Sequence, residues 1–305
     1  MYLKTKSLLV LVVTGFFGLS TSALAEDADV QQINLIEDVG AQERIKFSSK
    51  LRMLSQSIAA SACHMAEGVE AKTTAAMVDA SIKEFDVILT ALEHGDTNLN
   101  ILGAEERRKT LAKIASVKEA WAPLKKPALS FASGNVNEAD LNSVLETNGS
   151  VLIAADALLT EISGQYANPA EMVQADAMII KIASRQRMLA QRISKEACML
   201  ASHHEQPDTI EKLTQDIGIF EASLEALRHG MPSAGIKAPP TKEISNGLEK
   251  VEQLWLEVKP EMNKLISGKE VTLEEETHKF HSMIKVMEEM ERVVVMYSNQ
   301  AKPDA

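Results

Sequence analysis

Apolar residues recur every three or four positions over most of the chain. Phe47, Leu51, Leu54, Ile58 and Met65 share one helical face, as do Phe85, Leu89 and Leu92, and again Phe220, Leu224 and Leu227. This period predicts helices over 30–67, 71–93, 104–131 and 138–166, then over 170–202, 207–228, 240–266 and 273–298. Turn chemistry falls between them. His94-Gly95 and His229-Gly230 read as helix ends, with the glycine in a left-handed cap and the histidine against the last carbonyls. Ser133-Gly134-Asn135 and Ser267-Gly268 break the chain again. Asn137 and Thr272 precede acidic first turns and read as N-caps.

The pattern also repeats at a spacing of 135 residues. KFSSKLRMLSQSIAASAC (Lys46–Cys63) and KIASRQRMLAQRISKEAC (Lys181–Cys198) agree at nine of 18 positions. IKEFDVILTALEHG (Ile82–Gly95) and IGIFEASLEALRHG (Ile217–Gly230) agree at seven of 14. Trp121 pairs with Trp255, and Tyr166 with Tyr297, across small insertions. Agreement in separate blocks marks a duplicated unit, divided at Asn168-Pro169. The expected fold is all-α, two tandem up-down four-helix bundles over 26–168 and 169–305.

Composition narrows the class. Aromatics make up only 4%, too few for an all-β chain. The formal charge of −11 repels phosphate backbones, so nucleic acid is not an expected partner. Two cysteines and no CxxC leave neither a disulfide scaffold nor a zinc or c-type haem motif. Residues 1–25 read as a secretory leader. Lys4 and Lys6 precede the apolar run LLVLVVTGFFGL, and Ala23-Leu24-Ala25 supplies a cleavage site. The alternative, a retained anchor, needs roughly 20 apolar residues, and the run is shorter. No later stretch is long and apolar enough to span a bilayer, and the A-x-A site suits export to a bacterial periplasm, the expected location. There is no phosphate loop, nucleophile elbow or HExxH, so neither an enzyme nor a cofactor is expected.

One narrow stripe of the first helix carries Ser49, Arg52, Gln56, Ala59 and Cys63; its counterpart carries Ser184, Arg187, Gln191, Ser194 and Cys198. Small residues around a single arginine allow a second helix to approach closely. The S-x-x-R-M-L-[SA]-Q blocks, and SRQRMLAQRIS (Ser184–Ser194) above all, resemble the PilJ-type sensor domain. That family includes the periplasmic nitrate/nitrite sensor domains of the NarX and NarQ kinases and the input domains of some chemoreceptors. The resemblance implies a four-helix bundle whose first helices pair, with the arginine before Met gripping the anion. It implicates Arg52 and Arg187 in binding nitrate, nitrite or a similar small anion between the two repeats, beside Ser49, Ser184, Gln56 and Gln191. The family usually carries Gly where Ser49 and Ser184 stand, and its second arginine is kept as Arg192 but replaced by Ser57. It also suggests a membrane chemoreceptor, sensor kinase or transporter as the partner that reads the ligand state.

Other polar residues have plainer readings. Gln56 and Gln191 either bond the anion or cross-link helices. Cys63 and Cys198 either form a disulfide joining the copies, if equivalent positions face each other, or are two small buried hydrophobes. Arg185 and Arg192 read as surface residues, Arg192 with Glu196 at i+4. Glu274–Glu276 and Glu288-Glu289 read as solvated faces, Met283, Met287 and Met290 as core, and the pairs His203-His204 and His278/His281 as incidental. A helical adaptor without a small ligand, or a thiol-redox responsive protein, are the competing functional classes.

Overall fold

The computed structural model describes the backbone of residues 23–166 and 174–300, with side chains from residues 40 and 178 onward in the two segments. Both the expected leader, apart from its last three residues, and the 168/169 junction lie outside the described residues. Within them the chain forms eight α-helices and no strand: α1 (Ala23–Ala66), α2 (Ala71–His94), α3 (Arg108–Ala132), α4 (Glu138–Tyr166), α5 (Gln174–Ala201), α6 (Thr209–His229), α7 (Lys242–Ile266) and α8 (Leu273–Gln300). In each repeat the first helix packs on the second and fourth, and the third closes the ring. This is the up-down antiparallel bundle that the periodicity predicts, formed twice.

Each bundle centres on the same aromatic pair. Phe85 stacks on Trp121 at 4.1 Å between ring centres, and Phe220 meets Trp255 at 4.9 Å. All four rings are buried, each stabilising by roughly 1.5–3 kcal/mol. The indole N–H of Trp121 donates to Asp86 and that of Trp255 to Glu221, both at 2.8 Å. Lys125 and Lys259 then pair with the same two carboxylates. The tyrosines do not correspond so closely. Tyr297 sits a helical turn nearer the middle of α8 than Tyr166 does in α4; the Tyr166 hydroxyl donates to Glu105 at 2.6 Å, while that of Tyr297 is buried without a hydrogen-bond partner among the described residues.

Helix ends follow local chemistry, with corrections. The Asn137 side chain accepts from the Asp140 N–H at 2.8 Å. Thr272 and Glu275 make a reciprocal capping box. Helix α3 starts at Arg108 rather than 104, because Glu105 takes the N–H groups of Glu106 and Arg107 and holds the chain extended there. Gly95 and Gly230 do have positive φ, but their ψ values of 156° and 159° lie in the extended mirror region, not the left-handed helix. Glycine is required there twice over. A Cβ at Gly95 would sit 2.7 Å from the Gly103 carbonyl oxygen, and one at Gly230 would sit 2.8 Å from the Ala238 nitrogen. His94 and His229 do not reach the last carbonyls. Both are exposed, beside Glu93 and Glu225.

The two bundles join through α1 and α5, which pack along their length. Cys63 and Cys198 are bonded, with their Cα atoms 6.2 Å apart, so equivalent positions face each other and the helices run parallel. Both sulfurs are fully buried. A link across 135 residues removes much loop entropy from the unfolded chain, worth about 4–5 kcal/mol in the chain-entropy model. The Cys63→Ala/Cys198→Ala variant is therefore expected to lose about that much stability in urea unfolding. The native disulfide should also resist dithiothreitol until the chain unfolds.

Candidate functional site

The α1–α5 seam is lined by the sequence-predicted stripe. Arg52 and Arg187 are both buried in it, with 5% and 2% of their surface exposed. A buried guanidinium needs partners, and each arginine finds one carboxylate on the fourth helix of its own repeat. Arg52 Nη1 donates to Asp156 on α4 at 2.7 Å, and Arg187 Nη1 donates to Glu291 on α8. The sequence separation is 104 in both cases, so the duplication has kept the pair. Asp156 and Glu291 were not visible as partners in the sequence. The signal was there in principle: an acid at the same offset from the same arginine in both copies.

Burial pulls the Arg52 pKa down, its bond to Asp156 opposes this, and the charges of Arg185 and Arg187 pull it down further. The guanidiniums of Arg185 and Arg187 are thus near enough to Arg52 for their charges to act on it. Arg185 is exposed, as the sequence suggests, yet its charge reaches the seam. The Nε–H groups of both Arg52 and Arg187 are buried without a hydrogen-bond partner. An orphaned buried donor costs about 1–3 kcal/mol, so a matched pair of them is a destabilised arrangement that an acceptor would relieve.

The remaining predicted residues divide. Ser49 is buried and accepts from Arg52 Nη2 at 3.3 Å. Ser184 is buried at the matching position, and Gln191 is buried one turn beyond Arg187. Gln56 is committed to cross-linking: its Oε1 accepts from Lys195 Nζ at 3.2 Å and its Nε2 donates to Ser55 at 3.2 Å.

Several polar residues depart from the plain reading. Arg192 is not a surface residue but makes a two-pronged bond to Asp216, which is fully buried, while Glu196 lies 3.8 Å away. At the same places in the first repeat stand Ser57 and Ser81, joined at 3.4 Å. Glu276 is not on a solvated face. It is 5% exposed and paired with buried Lys279. Met287 is only partly buried, at the mouth of a groove. His278 and His281 pair with Glu261 and Glu70. Lys195 crosses the seam into the first repeat, where Asn148 accepts from it at 3.3 Å. Desolvation lowers its pKa, and desolvation raises that of neighbouring Glu196 to about 7. His64 crosses the other way. It is fully buried, bonds Ser194 at 3.0 Å and lies against Phe280 at 4.8 Å between ring centres.

The PilJ family model, the N-terminal part of type IV pili methyl-accepting chemotaxis transducers, matches residues 37–147 and again 170–280. The chain therefore belongs to the PilJ family, as a tandem of two such domains. Each repeat is thus of the class found at the N-terminus of chemotaxis transducers. Among solved structures the ligand-binding domain of the P. aeruginosa nitrate receptor McpN is similar, at 23% identity and a TM-score of 0.36. That match covers 40% of this chain and 95% of McpN's domain. No curated protein matches the chain. Among the described residues no helix is long and apolar enough to cross a membrane.

Burial of His64 has a measurable consequence. Desolvation, with the Lys279 charge behind it, lowers its pKa from 6.5 to about 3, so the ring is neutral and its 3.9 Å approach to Glu276 is not an ion pair. The unfolded chain takes up this proton near pH 6.5 and the folded chain refuses it until about pH 3. Stability is thus fully present above pH 6.5 and falls with acid, at up to about 1.4 kcal/mol per pH unit. Glu196 works in the opposite sense, costing stability as pH rises from 4.5 towards 7. The difference between wild type and His64→Gln isolates the histidine: the variant's urea-unfolding free energy should fall less steeply between pH 6.5 and 4.

Proposed function

We propose that the tandem binds one small monovalent oxyanion, nitrate or nitrite in the first instance, between Arg52 and Arg187. The two repeats act as a dimer within one chain. The observation that carries this reading is the pair of buried, unpartnered Nε–H groups, one from each repeat, on arginines whose like charges act on each other. A planar anion offers acceptors to both forks, and each charge-assisted bond is worth about 1.5–3 kcal/mol. The carboxylates Asp156 and Glu291 offset the repulsion between the two arginines, and both reach solvent, with side chains 59% and 34% exposed. They can loosen toward water as the anion enters. Ser49 and Ser184 then supply hydroxyls where a glycine-bearing relative would supply bare backbone.

The leader read in the sequence places the domain in the periplasm in this proposal. Ligand occupancy there would be read by a membrane chemoreceptor, sensor kinase or transporter, through a shift of α1 against α5. Because the disulfide fixes one end of that seam, the shift is a pivot about Cys63–Cys198 rather than a separation of the repeats.

Calorimetric titration of the disulfide-intact protein with sodium nitrate, against chloride and sulfate, tests the reading. One site per chain is expected. Arg187→Ala should abolish the heat, and Arg187→Lys, which keeps the charge but loses the planar fork, should weaken binding by about tenfold or more. Wild-type protein that takes up neither nitrate nor nitrite, or an Arg52→Ala/Arg187→Ala variant that binds as well as wild type, ends the proposal.

A further inference from the structure

The duplication is broken at a place that borders a groove. Along the outer edge of the seam, α1, α2 and α8 enclose a groove of about 510 Å³, within the range of small-molecule sites. Its floor is Ser57 and Ser81, both at most 7% exposed, and its walls include Met53, Met77 and Met287. The pseudo-equivalent positions on α5 and α6 are occupied by Arg192 and Asp216, joined by a bidentate bond. Two serines in place of an ion pair remove charge on one side only.

We infer that this groove is a binding site for a primary organic ammonium on a short hydrocarbon stem. The charges at the rim decide the sign. Lys50 is engaged by Glu84, and Arg292 by Glu289 at 2.7 Å. Glu288 is exposed on the rim and pairs with no cation among the described residues, and Glu291 turns one side to the groove while bonding Arg187. The open edge therefore presents carboxylate to an incoming head group. The stem lies along the three methionines, whose flexible, polarisable thioethers adapt to an unbranched chain. The Ser57 and Ser81 hydroxyls, whose mutual bond is long at 3.4 Å, are free to turn toward a polar atom. The groove shares Glu291 with the anion seam, but its stem and floor contacts on α1 and α2 lie outside that seam's arginine pair.

The test is titration of the disulfide-intact chain with n-hexylammonium, using 1-hexanol and hexanoate as probes of the same stem length. Saturable binding of the ammonium is expected, at least about tenfold tighter than the alcohol, with hexanoate weaker still. Ser57→Arg/Ser81→Asp, which transplants the second repeat's pair, should remove it. Ala80→Trp, at an exposed wall position, blocks the groove without touching the core and should do the same, covering the case in which the double variant fails to fold. Glu288→Gln should weaken binding about two- to fivefold, the range for an exposed charge pair. Equal binding of alcohol and ammonium, no saturation, or ammonium binding unchanged in Ala80→Trp overturns the inference.

Discussion

Two parallel helices placed like against like are the constraint on which the molecule depends. Each bundle could bury its own aromatic core alone, and each does so with a Phe–Trp pair tied to a carboxylate. The α1–α5 contact is different, because it brings equal charges together. Arg52 and Arg187 cannot retreat into solvent without opening the seam, and their separate carboxylates satisfy only part of each fork. A covalent bond at the far end holds the frustrated contact in place.

The duplication has since diverged in ways that make the halves interlock. Lys195 reaches from the second repeat to Gln56 and Asn148 of the first, and His64 reaches from the first to Ser194 and Phe280 of the second. Neither has a counterpart of the same type in the other copy: Ala60 stands opposite Lys195 in the repeat, and Met199 opposite His64. The chain is thus committed to pairing with itself. A symmetric homodimer would repeat each of these contacts twice, whereas here each is made once and leaves the other side of the seam free to specialise.

Part of the candidate site was legible from residue order alone. The stripe Ser49–Arg52–Gln56–Cys63 and its repeat follow from 100° per residue, and their likeness across 135 positions marked them as one feature. The partners Asp156 and Glu291 were not legible, because they come from helices 104 residues away, and an acid on a helix face reads as solvated until its neighbour is known. The same reason explains Glu276 and Arg192. Their burial is set by Lys279 and Asp216, and a charged residue follows no period that separates a paired interior position from a wet one. The glycines at 95 and 230 were read correctly as requiring positive φ but assigned the wrong ψ, since the close return of Gly103 and Ala238 is a matter of loop packing.

Residue order by itself determined the helical class, the duplication, the family and the arginine of each repeat, because periodicity and self-similarity are properties of a linear string. The tertiary structure alone decided that the two repeats meet in parallel through their first helices, which carboxylate answers each arginine, that both Nε–H groups are left unanswered, and that a groove opens beside Ser57 and Ser81. Those outcomes turn on distances between segments more than a hundred residues apart. The free energy of burying a charge depends on what stands across from it, which no local pattern encodes.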